Sequence, residues 1–477
     1  MISKKYIILK TVLLLYTTNF FAQINIKGTI LDKTNKIAIS NVNIYVENTA
    51  IGTISNLEGE FSLHIPETLK KHTLVMSSIG YHSTKINIED LKSNTIQYLA
   101  QKTTALDEVT LISKSKLTGQ AIMQRALNNF SNNYLGTPYA SKAFIRHTEH
   151  NKKEYKWLIE AAITYYDSGV NEKNPIKINI EETRKSLDLR AIDSVFLYQL
   201  YLTKKGGHRL KKAIKNTTMT DTASISEITN AIKWNDNNIN GINNLFEGKL
   251  NIIRNATKPN ALFGETIFKT HTFTLDTTLI EDNKIVYKIK ITPNKETIDL
   301  KTKWYNGGLV PIGWAYIYKH NYAIKEIDYA LIAASKNQKL RSELLFDTKI
   351  NHKVKIKYIE HNNKMYLKYF LYETPKIVNF ILKPDTDGKY SKNSKREREE
   401  QFYYTKQEIL FTEIITNESD IKPYIDKANW NSDVFSPTPY NKAFWDNYNI
   451  LLESAKEAKL INDLEKKVSL KQQFENN

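Results

Sequence analysis

The 477-residue chain contains no cysteine. No disulfide can staple it, so stability outside a reducing compartment must come from packed cores. The same absence leaves no thiol to carry a lipid, which excludes a lipoprotein anchor. Glycine is scarce: only 16 accompany 28 tyrosines in a chain that is 41% hydrophobic, a composition that reads as globular and strand-rich. Long hydrophobic runs are also missing. The most apolar stretch, near the front, is broken by Lys10 and by Thr17-Thr18-Asn19, too short and too polar for a comfortable membrane span. No His-Glu-x-x-His, Gly-x-Ser-x-Gly, Walker or dinucleotide fingerprint occurs, so no catalytic residue, metal ligand or cofactor-binding residue is named.

That front segment has an order of its own. Lys4 and Lys5 precede a run of Tyr, Ile, Leu and Val, and Phe20-Phe21-Ala22-Gln23 offers a small residue for cleavage. A basic region, an apolar region and a cleavage point describe a signal peptide over residues 1–22. The expectation is an exported protein, periplasmic or associated with the outer membrane, with no transmembrane segment after cleavage. Losing Lys4, Lys5 and Lys10 lowers the formal charge from +17 to +14. A charge of that sign attracts anionic lipid, acidic glycan or nucleic acid. Most lysines, however, sit at alternate positions of strand-like runs, where they read as a solvated face, and no specific nucleic-acid partner is expected. The densest cluster, Lys204-Lys205-Gly206-Gly207-His208-Arg209-Leu210-Lys211-Lys212, reads as an exposed loop next to a helix. Lys395 to Glu400 mixes signs and reads as a solvated loop or helix start.

From Ile24 to Leu111 short apolar–polar alternations are separated by turn residues: Ile24, Ile26 and Ile30, then Val42, Ile44 and Val46, then Phe61, Leu63 and Ile65, then Leu74 and Met76, then Ile86 and Ile88. Strands at such spacing predict a small β-sandwich with one hidden face per sheet. The ordered elements Gly28-Thr29-Ile30, Ile39 to Ile44, Ile51-Gly52-Thr53, Asn56 to Phe61, Ser77 to Tyr81 and Leu106 to Val109 resemble the carboxypeptidase-regulatory-like domain. The resemblance implies a prealbumin-like β-sandwich of a kind frequent in exported Bacteroidota proteins. In it Gly52 and Gly59 would serve turns with positive φ, Phe61 the core, and Tyr81 a cap on the sandwich edge. The domain's name does not imply peptidase activity. His64-Ile65-Pro66-Glu67 spells part of a zinc motif, but no third ligand or general base accompanies it. The close pair His147 and His150 falls in a strand, where the two rings point to opposite sides and read as surface decoration.

Beyond the sandwich, Leu117 to Phe130 has helical spacing, within a linker spanning 112–135. Strands return at Ala143 to Arg146 and Trp157 to Tyr166. A mixed insertion near 174–260 carries candidate helices at Ile192 to Leu202 and Ile225 to Ile232. Alternation is then strong at Ile285 to Ile291, Trp314 to Tyr318, Ile324 to Tyr329, Leu344 to Ile350, Val354 to Tyr358 and Met365 to Tyr372. Turns are expected at Glu281-Asp282-Asn283 and Asn362-Asn363. The expected fold is mainly β with minor α: a β-sandwich over 23–111, then a large antiparallel curved sheet or half-barrel over 136–425. Gly313 to Tyr318 with Tyr322 to Ile327 resembles the strand-turn-strand of periplasmic lipoprotein-carrier half-barrels. Residues 426–477 form an aromatic segment and a helix, and Tyr440 to Leu451 with the close at Phe474 resembles the end of Bacteroidota proteins that begin with the same sandwich. Phe444, Trp445 and Tyr448 read first as an aromatic latch and second as a ligand platform. Together these features predict a non-enzymatic envelope protein that binds a protein partner or an apolar or glycan ligand, with the oligomeric state left open. The alternatives are a hydrolase acting on peptide or glycan, or an accessory component of a TonB-dependent uptake system.

Overall fold

The computed structural model describes residues 23–91, 94–102, 117–134, 136–169, 176–205, 223–246, 267–294, 309–333, 336–346, 350–382, 398–436 and 438–476. Residues 1–22, read as a signal peptide, and Leu106 to Val109 lie outside these residues. Seven strands open the chain: β1 (Gln23–Asp32), β2 (Asn43–Val46), β3 (Gly52–Ile54), β4 (Glu60–Pro66), β5 (Thr73–Ser77), β6 (Thr84–Asn87) and β7 (Thr95–Leu99). They form two sheets, ordered β4-β1-β7 and β3-β2-β5-β6. Their inner faces meet at Ile26, Ile30, Val42, Ile44, Phe61, Leu63 and Met76, the alternation read from the sequence. Tyr81 packs on this core, and its hydroxyl donates to Asp32 Oδ2 at 3.2 Å. Gly59 has φ +75°, as a turn glycine should, and a Cβ there would meet Ile30 O at 2.3 Å. Gly52 differs from its expected role. It lies within β3, where glycine is required because a Cβ would stand 2.4 Å from Ile44 O.

The rest of the chain builds one sheet of ten strands: β8 (Tyr139–His150), β9 (Tyr155–Asp167), β10 (Ile176–Lys185), β11 (His271–Glu281), β12 (Lys284–Pro293), β13 (Leu309–Tyr318), β14 (Ile324–Ala333), β15 (Ile350–His361), β16 (Lys364–Leu382) and β17 (Arg398–Ile415). The order is β10-β9-β8-β17-β16-β15-β14-β13-β12-β11, every neighbour antiparallel. Strands β11 to β17 meander, and β17 returns to pair with β8. The sheet does not close into a barrel. Two hairpins show why it meanders here: Asp282 and Asn283 have φ 47° and 61°, and Asn362 and Asn363 have φ 50° and 59°. Consecutive left-handed residues twist a two-residue turn in the sense that antiparallel strands need, and Asn and Asp tolerate that region best.

Period-two alternation gives this sheet two unlike faces. One is apolar, with Ile145, Ile163, Ile289, Ile317, Ile356 and Ile409 among its residues. Helices cover it: α1 (Gly119–Asn128), α2 (Phe130–Asn133), α3 (Ser194–Lys205), α4 (Ile225–Asn240), α5 (Ile242–Phe246), α6 (Ile267–Thr270) and α7 (Lys336–Phe346) lie between the strands in sequence, and α1, α5 and α6 place Ile122, Met123, Ile242, Leu245, Phe246 and Ile267 in the same core. The first of these starts at Gly119, inside the stretch from Leu117 to Phe130 read as helical, with the Thr118 hydroxyl accepting from Ala121 N at 3.1 Å. The fourth starts at a capping box of Ser224 and Glu227. Over the opposite face lie the sandwich and the tail helices α9 (Lys442–Trp445), α10 (Ala455–Leu464) and α11 (Leu470–Asn476), which follow α8 (Glu418–Lys427).

Three further expectations change. Residues 176–185, read as the start of a mixed insertion, are the edge strand β10, because Ile176 and Ile178 face the core. Leu344 to Phe346, read as strand, belong to helix α7, and the strand begins at Ile350. Arg398 to Glu400, read as loop or helix start, open β17, while 395–397 lie outside the described residues.

The apolar face is packed rather than open at its middle. The Phe246 ring stands 5.1 Å from that of Tyr165, 6.1 Å from Phe411 and 6.2 Å from Phe370. Removing it leaves a cavity that ring stacking across three strands cannot close. Phe246→Ala is expected to destabilise the fold by about 3–5 kcal/mol, read as a lowered midpoint in urea unfolding.

Candidate functional site

Residues singled out in the sequence are scattered rather than gathered. His64 lies on β4, where the Asn449 side chain brackets its backbone: N–H to Oδ1 at 2.7 Å and Nδ2 to the carbonyl at 2.9 Å. Glu67 is exposed in a following turn. Among the described residues no group of three or more His, Asp or Glu is placed to hold a metal ion. His147 and His150 do point to opposite sides, but His147 is not surface decoration. Strand β8 is central and covered on both faces, so His147 is wholly buried, 3.1 Å from Glu149 and between the rings of Trp157 and Phe435. Lys204 and Lys205 end helix α3, and 206–212 lie outside the described residues.

Phe444, Trp445 and Tyr448 form the latch. Phe444 and Tyr448 stack at 5.0 Å, Trp445 is buried against Phe144, and the Tyr448 hydroxyl donates to Ala143 O at 3.0 Å. Beneath them lies a clamp of charges. Arg146 Nε donates to Glu160 Oε1 at 2.8 Å and Arg184 Nε to Oε2 at 2.6 Å. Arg146 also reaches Leu451 O at 3.0 Å, and the Arg184 guanidinium lies 4.5 Å from the Trp445 ring. Burial pushes the Glu160 carboxyl up, but Arg184 and Arg146 outweigh it and hold the carboxyl below its ordinary value. A second buried network sits on the helix face. Arg190 joins Glu149 at 3.0 Å and Asp236 at 3.2 Å, and Lys376 reaches both acids. Both networks are paired internally, as fully buried charges must be.

The third polar cluster borders a cavity, as does the Arg146 side of the clamp, where about 370 Å³ lies between the sandwich and the sheet. Where the loops flanking β2 and β5 meet strands β11 to β15, a cavity of about 250 Å³ is lined by residues of both units. Lys357 Nζ crosses the joint to donate to Asn41 O at 2.9 Å and stands 3.5 Å from Glu326. Lys355 lies 3.2 Å from the same carboxylate. Lys325 pairs with Glu281 and donates to the Tyr318 hydroxyl at 3.2 Å. Ser77 ties the sandwich to the β11–β12 turn, donating to Glu281 and to Asp282 at 3.2 and 2.9 Å. Burial lowers the Lys357 ammonium; Glu326 opposes this, and the neighbouring Lys355 and Lys325 add to it. Burial also works against the Lys325 ammonium, but Glu281 outweighs it and raises its pKa. The Asn43 side chain is 7% exposed, and its Oδ1 has no hydrogen-bond partner. These lysines were read as a solvated face, and nothing in a period-two pattern says otherwise. Only the docking of the sandwich buries them.

Residues 26–111 match the family model of the CarboxypepD_reg-like domain. The chain carries a CarboxypepD_reg-like domain. No curated protein matches the sequence. Among solved structures, a LolA superfamily protein from Nitrosomonas europaea overlaps 64% of this chain and 95% of its own at 7% identity and TM-score 0.19. A putative outer membrane lipoprotein-sorting protein domain from Vibrio parahaemolyticus overlaps 64% and 98% at 8% identity and TM-score 0.21. The CarboxypepD_reg-like domain therefore contributes one wall of the cavity, and the ten-stranded sheet contributes the other.

The clamp sets a pH dependence. The unfolded chain takes up a proton at the ordinary glutamate value of 4.5, whereas folded Glu160 does so only at lower pH. Its stabilisation is complete above pH 4.5 and is lost as pH falls through the folded value. Glu160→Gln leaves two arginines buried without their counter-charge and is expected to cost about 3–5 kcal/mol at neutral pH. Thermal melts across the acid range should show a flatter pH profile for the variant than for the wild type.

Proposed function

We propose that the protein is a non-enzymatic binding protein of the cell envelope that holds its ligand at the joint between the CarboxypepD_reg-like domain and the ten-stranded sheet. The carrying observation is the cavity itself, walled by both units and lined by polar side chains that include Asn43 and four lysines. The joint is fixed rather than hinged. Lys357 to Asn41, Ser77 to Glu281 and Asp282, and Asn56 Nδ2 to Glu453 O at 2.9 Å cross between the domain and the rest of the chain. Placing a site between rigid units avoids the ordering cost that a mobile cleft would add to binding. An envelope address is supported by the basic front end and apolar run of residues 1–22, and no helix among the described residues is long and apolar enough to cross a membrane. A lipid on the helix-covered face is the weaker variant, because Phe246 and its aromatic neighbours occupy the middle of that face.

Native mass spectrometry of the protein purified gently from its own envelope fraction tests the reading. The expected result is a small molecule retained in one-to-one ratio, with no turnover of peptide or glycan substrates. Bare protein that hydrolyses such substrates would overturn it in favour of a hydrolase.

A further inference from the structure

The cavity has a chemical sidedness. The sheet side supplies Lys288, Lys325, Lys355 and Lys357 against Glu281 and Glu326. Four ammonium groups therefore face two carboxylates among the described wall residues. Two further acids lie near, but Asp276 and Asp328 keep 39% and 33% of their side chains in solvent, at 3.4 Å from Lys288 and 3.7 Å from Lys355, where pairing is screened. Asp282 is engaged by Ser77 and Ser83. Glu326 is shared by Lys355 and Lys357, and the ammonium groups disfavour one another inside a buried space. The sandwich side is uncharged there: the Ser40 and Ser78 hydroxyls and the Asn43 amide. Asn43 is more than nine-tenths buried and finds no protein partner for Oδ1.

Resting on the binding reading above, we propose that this cavity is a site for a monosaccharide-sized polyol bearing one anionic group, a carboxylate or a phosphate. The anion meets the Lys355–Lys357 side, and ring hydroxyls meet Asn43 and the serines. A cavity of about 250 Å³ suits a small molecule the size of one sugar unit and not a folded peptide.

Calorimetric titration of the full chain with glucuronate, glucose 6-phosphate, glucose, acetate and inorganic phosphate tests this. Glucuronate or glucose 6-phosphate is expected to bind one to one, and glucose, acetate and phosphate at least about tenfold more weakly. Which of the two anionic sugars binds separates the carboxylate source from the phosphate source. Lys357→Met and Asn43→Leu should each weaken the anionic sugar by about tenfold or more, with melting temperatures reported beside them. Lys355→Gln replaces Lys357→Met if that variant does not fold. Absence of binding by both anionic sugars, or binding that none of these substitutions weakens, overturns the proposal. So does acetate or phosphate binding as tightly as the sugar, since Asn43 would then select nothing. A neutral molecule or a protein retained one to one in the native mass overturns the anionic-sugar assignment and leaves the binding reading standing. A bare hydrolase overturns both.

Discussion

The structure depends on one constraint: charged residues on the second face of a ten-stranded sheet are covered, and covered charges must be paired. Desolvating a carboxylate or an ammonium costs several kcal/mol unless a counter-charge and hydrogen bonds replace water. Glu160 meets that requirement by lying between Arg146 and Arg184. The clamp in turn fixes what sits above it, because Arg146 also binds Leu451 O and Arg184 lies over the Trp445 ring. The tail therefore docks by completing an electrostatic arrangement as well as by burying aromatic surface. Were the same strands left open to solvent, those residues would need no partners and the tail would have no specified seat.

The opposite face obeys the simpler rule of apolar burial. There Ile122, Met123 and Phe246 from three separate segments pack on isoleucines and aromatics of the strands. A strongly charged group on that side pairs Glu149 and Asp236 with Arg190 and Lys376. Burial of Glu149 would raise its carboxyl, yet Arg190 and Lys376 outweigh that and hold it well below the ordinary range. A network whose charges are paired in this way specifies how α4 sits. The joint beneath the sandwich differs in its charge content: four lysines line one wall of its cavity against two glutamates.

Much of the architecture was legible. The sandwich strands, the hairpins at Asp282-Asn283 and Asn362-Asn363, helix α1 and the aromatic latch all follow from local signals: alternation, residues tolerant of positive φ, a hydroxyl N-cap, and aromatics spaced along a tail. The misread elements have physical causes. Leu344 to Phe346 look like strand because a short apolar run fits either period, and tertiary context settled it as helix. Residues 176–185 look mixed because β10 is an edge strand whose outward side is polar, so half its positions carry no core signal.

The sequence by itself determined the classes of structure: a domain of short alternating strands, a long run of antiparallel hairpins, and cores that must hold without disulfides. It also determined which residues share a face, since period two fixes that before any folding occurs. Only the tertiary structure decided which of the two faces of each strand water keeps. Lys353, Lys355 and Lys357 form one polar stripe in the sequence, yet Lys357 reaches across to Asn41 of the sandwich inside a joint. His147 and Glu149 likewise look like surface residues and are fully buried. Alternation encodes sidedness, whereas solvation depends on what docks on each side. That docking joins residues such as Asn41 and Lys357, far apart in the chain, so no local pattern can report it.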